Sequence, residues 1–175
     1  MRKRIYIFMN NIEQLSIHFV KRQKHAEISL QRLNNIIYLY DWIHVLMFGE
    51  TFTSIDWKYA NYTLNSSELS KVVKHSLFFE HKKENDSTII NIILWNDDYE
   101  THLNPRQYRL LEHIDSHTKK LTYYGVLSHV YSTFPIQRPE RCENLDLLES
   151  AKEFKKNQKP NKWSKLIPYF FEAAS

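Results

Sequence analysis

The chain has 175 residues, a net charge of +4, two glycines and one cysteine. That length suits one domain with a full core and no staples. A single Cys excludes an internal disulfide and a multi-Cys zinc site, and Cys142 reads as an incidental thiol. Two glycines leave no GxGxxG, P-loop or GxSxG motif, so nucleotide binding by glycine-rich phosphate cradles is excluded. The basicity is local. Residues 151–165 hold six Lys and one Glu, and the remainder is close to neutral. The aromatic share, 14% with eleven Tyr and four Trp, supplies side chains with an apolar body and a polar tip. These suit both cores and interfaces.

The start, MRKRIYIFMN, has a basic flank but an apolar run of five residues. That is too short for a signal-peptide core or a membrane span, and no later run approaches the length a bilayer needs. The expectation is a cytoplasmic chain with no membrane partner. The run at 5–9 reads as a strand or as a buried helical turn. Asn10 or Asn11 then caps a helix carrying Ile12, Leu15 and Phe19, closed by Lys21, Arg22 and Lys24.

The central element is a helix over about 26–48. Leu30, Leu33, Ile37, Tyr40 and His44 trace one face, and Ile36, Ile43 and Met47 an adjoining one. So wide a stripe marks a helix buried on more than one side. Gly49 stands where a left-handed residue ends a helix. The helical period is lost from 52 to 64, where Trp57, Tyr59 and Tyr62 make an extended or looped aromatic segment. Asn65 begins a capping box with Glu68, and a helix follows to about Ser76 with Leu69, Val72 and Val73 inward. Residues 77–83 and 88–95 read as a hairpin with its turn at 84–87.

Asn104, Pro105 and Gln107 open a further helix whose inner face is Tyr108, Leu111, Ile114 and Thr118. Thr122 caps the next, which runs to Tyr131 and is broken at Phe134-Pro135. A polar stretch leads to an amphipathic helix with Leu145, Leu148, Ala151 and Phe154 on one side and lysines on the other. Pro160 ends it, and Trp163, Ile167 and Phe170 form a last apolar stripe. The reading is a mostly helical α+β chain with one small antiparallel hairpin. It divides into a helical domain over 1–136 and a basic C-terminal extension over 137–175.

Among nine histidines the best metal pair is His113 and His117, at i and i+4. The motif is HIDSH, without the Glu that zinc hydrolases place after the first His, so both are expected on a solvated face. His18 and His25 fall on different helices, and His44 reads as a core histidine. Asp97, Asp98 and Glu100 read as a polar loop. No nucleophile sits in a recognisable strained turn, so no catalytic residue, metal or cofactor is assigned. The helix pair 105–117 and 122–131, behind a hairpin, has the proportions of a winged helix-turn-helix. Its second helix carries no Arg or Lys, so DNA would rely on the basic extension. There Lys152, Lys155, Lys156 and Lys159 suit an acidic protein surface or nucleic acid. The partner-binding residues expected from aromatic character are Trp57, Lys58, Tyr59 and Tyr62.

The stretch SLQRLNNIIYLYDWIHVLMFG, followed by DWKYANYTLNSSELSKVV, resembles the Panacea antitoxin domain, the family of SocA-like antitoxins and phage-associated GepA-like proteins. Leu30, Gln31, Leu33, Tyr38, Gly49, Trp57, Lys58 and Tyr59 fall on its pattern. Farther on, Leu121, Leu127, Ser128, His129 and Pro135 match its closing helix pair, for a coverage of roughly residues 27–136. The family's Gly-Pro after the aromatic is replaced here by Ala60-Asn61-Tyr62. The resemblance implies a non-enzymatic protein that binds and restrains a toxin or adapts it for degradation. Similar domains also look like small subunits of anti-phage complexes, beside an SMC-like ATPase and a nuclease effector. DNA would then be met through the complex.

Overall fold

The computed structural model describes residues 10–93, 102–138 and 143–157. The expectations for 5–9, 94–95, Asp97, Asp98, Glu100, Cys142, Lys159 and the last apolar stripe lie outside the described residues. The described architecture is α+β and mostly helical, with small antiparallel sheets. No helix among the described residues is long and apolar enough to cross a membrane.

The first helix, α1 (Asn11–Lys21), begins with a reciprocal capping box between Asn10 and Glu13. Left-handed backbone at His25 and Ala26 turns the chain into a short strand, β1 (Glu27–Ser29). The central helix, α2 (Leu30–Phe48), follows at once. It starts later than the sequence pattern suggests. Residues 27–29 are recruited into a sheet, and the Ser29 hydroxyl accepts from the Arg32 amide as the true N-cap. Every residue from 33 to 46 is buried. A helix buried on all sides must be wrapped, and α2 packs against elements from both ends of the chain. Gly49, with φ of 80°, ends it in the left-handed region, where a side chain is strained.

Two short strands, β2 (Lys58–Ala60) and β3 (Thr63–Asn65), occupy the segment expected to be extended or looped. They pair antiparallel with Tyr59 opposite Leu64, so both inward side chains fall on one face. The next helix, α3 (Ser67–His75), is capped by Ser66 and not Asn65, because the Ser66 hydroxyl is the one that meets the Leu69 amide. The expected hairpin is present as β4 (Phe79–Glu84) and β5 (Ser87–Ile92). β5 lies between β1 and β4, and Ile28 faces Ile90 across the added pair. The central strand thus carries the buried isoleucines, while on the edge strand β4 only Phe79 is buried.

The next helix, α4 (Pro105–Thr118), has the anticipated Asn104–Gln107 capping box. Leu110 takes the inner position expected of Tyr108, which is 41% exposed. Thr122 caps α5 (Tyr123–Tyr131), and a single turn, α6 (Phe134–Gln137), follows. The last described helix, α7 (Leu147–Asn157), turns Leu147, Ser150, Ala151 and Phe154 inward and leaves Leu148 exposed. Phe154 packs edge-on against Trp42 of α2 and beside Phe134, so this part of the extension shares the central core. Residues 143–145 also extend the smaller sheet. The Tyr59 amide donates to the Glu143 carbonyl, and the Leu145 amide to the Trp57 carbonyl, both at 2.8 Å.

Two arginines lock α4 in place. Arg32 of α2 donates to the carbonyls of Thr118 and Leu121, at 2.9 and 3.0 Å, where α4 runs out of helical partners. Arg22 reaches from α1 to Glu112 at 2.6 Å and to Asp115 at 3.4 Å. His18, buried beside this pair, is held neutral down to about 3 by burial first and by the Arg22 charge second. These outweigh its approach to Glu112 at 3.7 Å.

The unfolded chain protonates His18 near its ordinary value of about 6.5, which the folded chain resists. The contribution to stability is therefore full above that value and is lost as pH falls toward 3. Between pH 6 and pH 4 the wild type should lose stability faster than His18→Gln, by up to ~1.4 kcal/mol per pH unit. Urea unfolding of both proteins at several pH values checks this, and parallel profiles would refute it.

Candidate interaction surface

The segment leaving α2 is organised by one carboxylate. Asp41 is fully buried and accepts four hydrogen bonds. The donors are the backbone amides of Phe52 and Thr53, at 3.1 and 3.0 Å, the Thr53 hydroxyl, and the Trp57 indole N–H at 3.0 Å. Burial pushes its pKa up, and the four donors pull the other way without fully offsetting it. One turn along α2, His44 makes a second clamp. Its Nδ1 lies 2.8 Å from the Glu50 carbonyl and its Nε2 3.3 Å from the Gln107 amide nitrogen. That pattern fits a neutral ring donating at Nδ1 and accepting at Nε2. Burial lowers the His44 pKa accordingly. His44 is the satisfied core histidine the sequence suggests.

This arch decides which of the four aromatic-segment residues reach solvent. Trp57 is 1% exposed, with its ring edge-on to Tyr38 at 5.5 Å. Tyr59 is 6% exposed and packs edge-on against Tyr131. Both expectations of a partner contact are corrected. Alternation along β2 points these two rings into the core, and Asp41 holds the indole there. Lys58, between them, points outward. It lines a groove of about 670 Å³ between residues 51–58 and the start of α7, with Asp56 and Asp146 also on the walls.

Tyr62 is the residue of the four that stands clear. It is 80% exposed and occupies the two-residue turn between β2 and β3. Asn61 and Tyr62 have φ of 49° and 59°. Positive φ at both positions is the pattern of a type I′ hairpin turn, which matches strand twist and favours Asn-Gly. Asn61 fits it, whereas Tyr62 adopts it at a steric cost. The Tyr131 hydroxyl donates to the Tyr62 carbonyl at 2.6 Å and fixes the tip. On α5, Tyr124 is 78% exposed. It precedes Tyr131 by seven residues, about 10 Å along the same helix face. Tyr62, Tyr131 and Tyr124 thus line one side of the molecule.

Lys152, Lys155 and Lys156 are exposed on α7. The face is mixed in charge: Lys152 lies 3.6 Å from Glu149, and Glu153 pairs with Arg138 at 2.9 Å. The expected solvated histidine pair is also corrected. His113 and His117 are half-buried, and Nε2 of His117 lies 3.1 Å from Nε2 of His129 on α5. Burial, and then the charge of His117, lowers the His113 pKa. Among the described residues no three His, Cys, Asp or Glu side chains gather to hold a metal ion.

Three residues escaped the sequence reading. Asp41 looks like a polar interruption of an apolar helix, and its donors come from a loop of unknown shape. Tyr131 and Tyr124 carry a usable signal, their spacing of seven on one helix. The chain matches no family model, no curated protein and no solved structure.

Trp57 is expected to behave as core. Trp57→Ala should cost about 3–5 kcal/mol by cavity formation. Trp57→Phe keeps most of the ring but leaves Asp41 one donor short, which should cost about 1–3 kcal/mol. Denaturant unfolding measures both, and a near-neutral Trp57→Phe would remove the indole from the Asp41 network.

Proposed function

We propose that this chain is a non-enzymatic protein-binding module, and that the hairpin tip at Tyr62 is its contact point. The observation that carries the reading is a large aromatic held 80% exposed on left-handed backbone. Backbone strain of this kind persists where the surrounding structure enforces it, and it concentrates at sites of recognition. A rigid aromatic loses little entropy on binding and is a frequent hot spot. Lys58 on the neighbouring strand and Tyr124 on α5 extend the surface in two directions. The resemblance to the Panacea antitoxin domain supports the class of partner: a toxic effector that the module restrains, as an antitoxin or as a small subunit of an anti-phage complex. The departure from that family at Ala60-Asn61-Tyr62 coincides with the tip, so partner choice resides there.

The exposed lysines of α7 favour a second reading, contact with nucleic acid beside such an effector. It requires duplex or single-strand affinity that falls steeply with salt and is lost on replacing Lys152, Lys155 and Lys156 together.

Tyr62→Gly separates recognition from folding. Asn-Gly is the favoured pair for this turn, so the variant should gain about 1 kcal/mol of stability. It should at the same time weaken partner capture by about 2 kcal/mol or more, roughly 30-fold. The measurements are thermal unfolding of the isolated chain and its co-purification with the product of an adjacent effector gene. Undiminished capture by Tyr62→Gly would sink the assignment of the tip.

A further inference from the structure

The two histidines that join α4 and α5 are unused by this reading. The turn at 119–122 folds α5 back so that the imidazoles of His117 and His129 converge. Their Nε2 atoms are 3.1 Å apart and their rings are inclined by 61°. Both side chains are half-buried, one near the end of each helix. A neutral imidazole has one N–H and one lone pair, so with no ion present this contact is a hydrogen bond between two rings. If the hydrogen on Nε2 passes through solvent to Nδ1 of the same ring, both Nε2 lone pairs face one point. No proton is gained or lost in that exchange.

Zinc–nitrogen bonds of about 2.0–2.1 Å at a tetrahedral angle place two ligand nitrogens about 3.3 Å apart. The pair is therefore nearly at ligand spacing already. Imidazole suits zinc and its late first-row neighbours. We propose that His117 and His129 form a two-imidazole site for such a divalent cation, zinc in the first instance, which staples α4 to α5. No third His, Cys, Asp or Glu among the described residues completes the set, so water fills the remaining positions. The staple acts on the helix that carries Tyr124 and Tyr131, and Tyr131 in turn holds the hairpin tip.

The test is zinc chloride titrated into the full-length chain, followed by calorimetry and by melting temperature. One ion should bind per chain and raise the melting temperature, and EDTA should reverse the rise. His117→Ala and His129→Ala should each abolish both effects. His117→Gln should do the same, and it guards against a packing defect because it keeps a polar group without an imidazole. His75→Ala, at the exposed end of α3, should leave binding intact. Absence of saturable binding by the wild type would overturn the proposal. So would an undiminished melting shift in His117→Gln and His129→Ala, which would mark adventitious surface binding only.

Discussion

The buried carboxylate of Asp41 is the constraint on which the rest of the surface depends. A charge inside an apolar helix bundle costs several kcal/mol unless it is fully hydrogen-bonded. Asp41 meets four donors, and all of them lie 11 to 16 residues ahead in the chain. The exit from α2 is therefore closed into an arch whose shape leaves little freedom. Trp57 is the far strut of that arch. With its indole fixed, alternation along β2 sends Lys58 out and Tyr59 in, and the hairpin tip follows two residues later. The same strand offers its other edge to residues 143–145, so α7 is positioned from Asp41 as well. One side chain thus couples the central helix, the hairpin and the C-terminal extension.

The helices were legible because their signals are local. Asn104 with Gln107, Thr122 and Gly49 each determine a terminus through a few neighbouring atoms, and of the two candidates for the first cap Asn10 is the one that meets Glu13. Apart from the α3 cap, which is Ser66 and not Asn65, the errors fall where a distant partner decides. Residues 27–29 belong to a strand because their partners in β5, at 89–91, lie beside them. The segment 58–65 forms a hairpin around a turn with no glycine, which removes the usual sign. Tyr108 and Leu148 have the right period for an inner face, but the packed face of each helix is turned so that Leu110 and Leu147 lie inside instead. For the surface, aromatic character led to a strand whose two rings, Trp57 and Tyr59, face the core. Trp57 and Tyr59 share the inward face of the segment, where the Asp41 carboxylate and the Tyr131 ring meet them. Lys58 is left in water by facing outward, and Tyr62, the same residue type as the buried Tyr59, by its place in the turn.

The backbone at the tip sharpens this point. Glycine at position 62 would relieve the left-handed strain, and the Asn61 before it already suits such a turn. Tyrosine there costs about 1–2 kcal/mol, buries almost nothing in the chain itself, and still has its carbonyl pinned by Tyr131. The side chain thus gives little to the fold, while the backbone that carries it is held firmly.

The C-terminal extension changes the geometry of any such contact. A basic segment on a flexible tether can neutralise charge anywhere within its reach. The lysines of α7 have no such latitude, because Leu147, Ala151 and Phe154 anchor the opposite face against the α2 core. Residues 143–145 are further bound to β2, two residues from the hairpin turn. The lysine face and the Tyr62 tip are therefore parts of one rigid body with a fixed spacing. A partner that engages both must present an acidic patch and an apolar pocket in matching register. Binding to such a surface loses less freedom than binding to an unanchored arm, and it discriminates against partners that offer only one of the two features.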